Sequence, residues 1–254
     1  MAMDKVAVSL RKRHRLQIGL VLFSVYILVA LVFLMATKEQ IERDNQADLA
    51  VRHFTVSQAL HGFLLSAEYE LGSTAQALLN SQELADLDLG RLFDRHDEFL
   101  FGSLDFFYVE WSDQRHLLDP RTHLFTEEPI DQLIAKSKLG RWALKQTKDG
   151  ASILIYKKKI VTLEGDWKGY LYGFIALNNN LTLANRLLKS AQIDEVKLLS
   201  PEQSVLLSER HLSLSEEQVL DFYRADLQIV KDGLAFDLQI AKQETAVSSV
   251  WQRY

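Results

Sequence analysis

The chain of 254 residues is long enough for one large or two small domains, and its 48 % hydrophobic and 25 % charged content is that of a globular protein. It contains no cysteine, which excludes disulfides, thiolate metal sites and cysteine nucleophiles. Residues 1–15, "MAMDKVAVSLRKRHR", hold five Lys/Arg against one Asp, leaving 24 Lys/Arg and 33 Asp/Glu in the rest; so acidic a body lacks the basic surface that nucleic-acid binding requires.

Residues 16–36, "LQIGLVLFSVYILVALVFLMA", run for 21 positions without a charge. At about 1.5 Å per residue they reach roughly 30 Å, the thickness of a bilayer's hydrocarbon core. Arg11, Lys12, Arg13 and Arg15 precede the run, while Lys38, Glu39, Glu42, Arg43 and Asp44 mix signs after it. The positive-inside rule then sets the N-terminus in the cytoplasm and residues 37–254 outside it. A cleaved signal peptide is the competing reading, but the run exceeds an ordinary signal core and no A-x-A pattern follows. No second apolar run of this length occurs before the C-terminal "SSVWQRY".

Residues 38–80 predict one long helix: the segment has no proline, and Phe54, Leu60, Leu64, Leu71, Ala75, Leu78 and Leu79 recur mostly at helical spacing. Its first part, "KEQIERDNQADL", is polar and suits an exposed stalk. "LADLDLGRLFDRHDEF" predicts a short helix and a turn. From Leu104 the period shortens, and "LDFFYVEW" predicts a buried strand. "PIDQLIAKS" predicts a short helix with Pro129 in its first turn, and "RWALKQTKDGASILIYKKKIV" two strands around Asp149-Gly150. "WKGYLYGFIAL" adds a strand that stops at Asn178, Asn179 and Asn180.

After the asparagines a smaller set repeats the theme. A helix over 181–190 places Leu181, Ala184, Leu187 and Leu188 on one face, and "VKLLSPEQSVLL" predicts a hairpin turning at Pro201. "LSEEQVLDFYRADL" predicts a helix, and "LQIVKDGLAFDLQIAKQ" alternates on both sides of Asp232-Gly233. The fold class expected is α+β: an N-terminal transmembrane helix and a long stalk helix, followed by two PAS-like (Cache) antiparallel-sheet modules. The expected boundaries are a basic cytoplasmic N-terminus at 1–15, the membrane helix at 16–36 and the stalk at 37–80. A membrane-distal module follows at 81–178 and a membrane-proximal one at 179–254.

The stretches "GRWALKQ", "ILIYKKKIV" and "GYLYGFIALNNNLTLANRLLKSAQIDEVKLL" resemble the periplasmic domain of the LuxQ family of sensors, a tandem PAS-like (double Cache) receptor domain. In that family a glycine-containing strand passes through an asparagine-rich turn into a helix and an ID-x-V pattern, matched here by Ile193, Asp194 and Val196. The resemblance covers roughly residues 106–208. It implies a bacterial inner-membrane receptor that meets a soluble periplasmic substrate-binding-type protein and signals across the membrane. Relatives couple this domain to a histidine kinase or to cyclic-di-GMP synthesis or breakdown. Here the second span and the output module are missing, so a fragment or a truncated protein is expected.

Asn180-Leu181-Thr182 is formally a glycosylation sequon, but Asn179 or Asn180 is better explained as the N-cap of the helix that follows. Tyr108, Trp111, Trp142 and Tyr156 are candidates to line an aromatic pocket for a ligand or partner; a plain hydrophobic core accounts for the same aromatics and is preferred. Arg141 and Trp142 are adjacent, the wrong spacing for the Arg-x-Trp motif of amino-acid-binding Cache domains. His116, Asp119 and His123 have metal-like spacing broken by Pro120 and read as a solvated loop; Lys157–Lys159 reads as an exposed strand end. "DLDLG" carries the Asp-x-Asp of metal-dependent glycosyltransferases without a nucleotide-sugar fold pattern around it.

No catalytic set, cofactor or metal is therefore expected. The expected partners are the periplasmic binding-type protein, the membrane through a single span, and a second copy in a homodimer. A Cache domain binding a small molecule directly, a membrane-anchored assembly protein and an anchored glycosyltransferase-like enzyme stand as alternatives.

Overall fold

The computed structural model describes residues 2–80, 102–113, 116–210, 225–231 and 234–242, with side chains for residues 17–79, 102–113, 116–119, 121–210 and 234–242. The chain forms two compact units, Met1–Asp48 and Leu49–Tyr254.

Helix α1 runs over Ala2–Asn80 and includes the helix expected at 38–80. In the first unit its apolar side chains from Ile18 to Met35 are exposed, and one stretch is long and apolar enough to cross a membrane by length and composition. Ser24 Oγ and Thr37 Oγ1 donate to the carbonyls of Leu20 and Phe33, which satisfies both hydroxyls without breaking the helix. The polar segment after it carries i,i+4 pairs, Arg43 with Glu39 and Lys38 with Glu42, both exposed and therefore worth little to stability.

The second unit holds two antiparallel sheets. The first has strands β1 (Phe106–Trp111), β2 (His116–Leu118), β3 (Trp142–Gln146), β4 (Ser152–Val161) and β5 (Trp167–Ala176) in the order β2-β1-β5-β4-β3. Between β2 and β3 lie a 3-10 turn, Pro120–Leu124, and the short helix α2, Ile130–Ile134. Helix α3, Leu181–Ala191, leads to the second sheet: β6 (Glu195–Leu199), β7 (Val205–Arg210), β8 (Ala225–Lys231) and β9 (Leu234–Ala241), ordered β7-β6-β9-β8. Ala225–Leu227, read above as the end of a helix, are the start of β8 and pair with Leu238–Ile240. The remainder of that predicted helix, the "DLDLG" stretch and the Asp232-Gly233 turn lie outside the described residues.

One hydrophobic core joins α1 to both sheets. Val56, Leu60, Phe63, Leu64, Leu71 and Leu78 of α1 pack with Val109, Leu154 and Leu171 of the first sheet, with Leu183 and Leu187 of α3, and with Val196, Leu198 and Phe236 of the second. Burial of a Leu or Phe stabilises by about 1.5–3 kcal/mol, so this single cluster dominates the fold. Gly173 allows the closest approach: a β-carbon there would stand 2.8 Å from Leu71 Cδ1 and 2.9 Å from Leu104 Cδ2.

The three asparagines have separate jobs. Asn178 Oδ1 accepts from Ser152 N–H, Asn179 takes the left-handed conformation at φ 57°, and Asn180 Oδ1 accepts from Leu183 N–H at 2.9 Å. Asn180 is thus the expected N-cap. At the other end of α3, Arg52 of α1 donates to the carbonyls of Ala191 and Gln192, groups that a helix C-terminus leaves unpaired.

Candidate functional site

Side chains alternate across a strand, so the first sheet has two faces of different chemistry. Phe107, Val109 and Trp111 of β1 face α1 and belong to the large core; Phe106, Tyr108 and Glu110 face the other way. On that outer face Phe106 stacks on Phe174 of β5 at 4.4 Å and on Phe125 at 5.3 Å. Leu133 of α2, Ile153, Ile155 and Tyr172 complete a second, smaller core.

Beyond this packed part the outer face becomes polar. Tyr108 Oη lies 2.6 Å from His116 Nδ1, with the two rings stacked. Tyr172 Oη donates to Glu110 Oε2 at 3.0 Å, and the Lys157 ammonium stands 3.9 Å from the Tyr170 ring centre and 5.1 Å from that of Tyr172. Burial first, and then the Glu110 carboxylate, push the Tyr172 hydroxyl above its ordinary pKa, and Tyr108 moves the same way by burial and by Glu110 and Asp131. Both phenols therefore keep their protons through the physiological range, and Tyr172 is the donor to Glu110. Lys157, expected at an exposed strand end, sits mid-strand and half-buried on this face, while Lys158 points the other way, 2.8 Å from where a β-carbon of Gly72 would lie.

The four aromatic candidates do not converge. Tyr108 is on the outer face; Trp111, Trp142 and Tyr156 are on the face toward α1. Trp142 and Tyr156 are cross-strand partners with ring centres 5.1 Å apart, and Trp142 Nε1 donates to Glu68 Oε1 of α1 at 2.7 Å. Trp111 is on β1, three strand spacings from β3, or about 14 Å. Its buried indole N–H has no acceptor among the described residues.

The His116–His123 segment is not the solvated loop expected. Asp119 is fully buried, accepts from Arg121 N–H at 2.9 Å and pairs with the Arg121 guanidinium at 2.8 Å, capping the 3-10 turn. Among the described residues no three acidic or histidine side chains are arranged to hold a metal.

Sequence reasoning missed Asp105, at the head of β1. Its Oδ2 accepts from Ala176 N–H at 2.7 Å and receives the Asn180 amide at 3.4 Å, so it joins β1, β5 and the cap of α3. Burial raises its pKa to about 6, opposed by the Ala176 hydrogen bond and the Arg121 charge and reinforced by Glu70. No spacing rule marks such a residue; only the meeting of the three elements does.

Residues 62–250 match the family described as LuxQ, periplasmic. The chain belongs to that family. The fold agrees with it: two solved structures of the Vibrio cholerae LuxQ periplasmic domain superpose with TM-scores of 0.63 and 0.62 at 18 % and 20 % identity. They cover 78 % and 77 % of this chain and 99 % of each of those chains. The ligand-binding domain of the Pseudomonas aeruginosa amino acid chemoreceptor PctC, solved with GABA, is a more distant likeness: TM-score 0.46, 14 % identity, covering 78 % of this chain and 99 % of that one. No curated protein matches the chain. The LuxQ family member described here is a periplasmic sensory domain preceded by an apolar helix fit for membrane anchoring.

Proposed function

We propose that this chain is the sensory part of an inner-membrane receptor that reads a periplasmic binding-type protein through exposed residues of its first sheet module. The observation that carries the reading is the filled outer face. Phe106, Phe125, Phe174 and Leu133 occupy the space between sheet and α2, where a small ligand would need a cavity. A receptor whose sheet face is packed with its own side chains responds by shape, through a partner that prefers one of two conformations. In this reading the basic head keeps residues 1–15 in the cytoplasm, residues 37–254 are periplasmic, and the chain works as a homodimer. The signal leaves along α1 toward a kinase or a cyclic-di-GMP enzyme outside this chain, which itself performs no catalysis.

Photo-crosslinking from exposed first-sheet positions in intact cells, with mass-spectrometric identification, tests the reading. A periplasmic binding-type protein joined at Leu163 or Trp167 supports it. A melting shift of the purified domain with a free amino acid, and no protein crosslink, overturns it. The second reading, direct capture of a small anion, rests on the half-buried Lys157 between the Tyr170 and Tyr172 rings; Lys157→Gln abolishes that melting shift if it is correct.

A further inference from the structure

Charge in this chain is sorted by place. Residues 136–168 hold nine Lys/Arg against three Asp/Glu, while the rest of the chain beyond residue 15 holds 15 against 30. Within that stretch β3 is the outermost strand of the first sheet, and the turn before it lies against β4. Leu139 forms a bridge with Lys157, and Gly140 N–H donates to the Lys157 carbonyl at 2.8 Å. Lys136, Lys138 and Arg141 stand within three positions of Leu139, and Lys159 is two positions beyond Lys157 on the same face of β4. These four residues are exposed and, among the described residues, form no ion pair. By contrast Lys145 is paired with Glu128 at 3.1 Å, Arg121 with Asp119 at 2.8 Å and Lys197 with Glu195 at 2.7 Å. Leu139, in the middle of the four, is 52 % exposed.

We propose that this basic edge is the docking surface for an acidic face of a partner protein. The proposal rests on the receptor reading given above and supplies the chemistry by which the partner is recognised. Like charges held close on one backbone repel one another in the free chain, and an acidic face brought against them relieves that repulsion and steers the encounter. Lysine on an edge strand can serve merely to deter strand addition, but Lys136, Lys138 and Arg141 precede β3 and guard no strand. A second copy of the chain would present the same positive edge and be repelled by it. Cations that serve a lipid surface lie beside an apolar span, as Arg11–Arg15 do. This edge instead meets α1 at Gly72, 36 positions after Ala36, where Lys158 Nζ stands 2.8 Å from the place of a β-carbon. A protein interface sets an apolar side chain inside a polar rim, and Leu139 among four cations has that arrangement.

The first test uses a fluorescent poly-L-glutamate peptide, titrated by anisotropy into the full chain in phosphatidylcholine nanodiscs. Lys138→Glu with Lys159→Glu is expected to weaken binding about tenfold, the more so at low salt. Lys148→Glu with Lys189→Glu makes the same change of net charge at exposed positions off the edge and is expected to weaken it by no more than about twofold. All four side chains are exposed, and a thermal melt of each double variant confirms its fold. Equal weakening by both pairs, or capture of phosphatidylglycerol vesicles in place of the peptide, overturns the proposal. The second test is in intact cells: a photo-crosslinker at Leu139 is expected to join a periplasmic binding-type protein, and several-fold less of it in the Lys138→Glu, Lys159→Glu background. Crosslinks from Leu163 or Trp167 with none from Leu139 overturn the edge and leave the receptor reading standing. Peptide bound at the edge, with no protein joined at any of the three positions, overturns the receptor reading and upholds the edge's preference for acidic protein.

Discussion

The indole N–H of Trp142 donates to the Glu68 carboxylate at 2.7 Å, tying the edge strand β3 to the long helix. Trp142→Ala removes this bond and a buried ring together and is expected to cost about 3–5 kcal/mol. Trp142→Phe retains most of the ring volume, loses the donor to a charged acceptor and costs about 1.5–3 kcal/mol. Trp111→Phe deletes an N–H that has no described acceptor and costs less than Trp142→Phe. Thermal melts of the four proteins, run beside a partner-binding assay, check the order. Unchanged melts for Trp142→Ala with lost binding of a small molecule would defeat the core reading of these aromatics.

Gly173 and Leu71 form a second tie, this one by shape. Gly173→Ala sets a methyl 2.8 Å from Leu71 Cδ1 in a closed core and is expected to destabilise by about 1–3 kcal/mol. In the Leu71→Ala background the same change fills a void, so its cost falls or reverses. A double-mutant cycle by urea denaturation measures the coupling.

Asp105 gives the fold a pH dependence. Its native pKa, about 6, lies above the ordinary 3.8, so between these values the native state holds the proton more firmly than the unfolded chain. Stability is thus fullest below about pH 4 as far as this group is concerned and falls as pH rises toward 6, by about 2 kcal/mol. Asp105→Asn preserves an acceptor for Ala176 N–H and is expected to flatten the profile in that window and raise the melting temperature at pH 7. An unchanged slope refutes the assignment.

Asn180→Ala removes the N-cap of α3 and is expected to cost about 1 kcal/mol, with Asn180→Ser recovering most of it. Chemical denaturation of the three proteins checks this.

Topology has its own test. A reporter fused after Tyr254 is expected to be active only outside the cytoplasm, following the basic residues before Leu16. Cytoplasmic activity would reverse the orientation and remove the periplasmic partner with it.

Much of this fold was legible where local rules govern. Apolar, aromatic-rich runs marked β1 and β5, Asp149-Gly150 marked the β3–β4 connection, and the asparagine after an apolar strand marked the cap of α3. The parity that separates Tyr108 from Trp111 was also present, since residues three apart in a strand face opposite ways. What the sequence concealed is long-range. Three consecutive lysines suggest solvent, yet β4 aims Lys157 at Tyr170 and Tyr172, residues that only strand pairing brings alongside. Asp119 reads as a loop aspartate until its guanidinium partner folds over it. Arg52 caps a helix 139 positions away, and no spacing encodes that.

The shared core has a mechanical consequence. Buried α1 residues extend from Leu49 to Leu78, about 44 Å of helix at 1.5 Å per residue, and they interlock with both sheets at once. Such a shaft is keyed, not greased. Close-packed interiors tolerate discrete repacking and resist continuous slip, so sliding α1 by a fraction of a turn would strip side chains from two sheets together. Force applied at either sheet is therefore delivered to α1 undivided, and a gear change in this molecule has to be a jump.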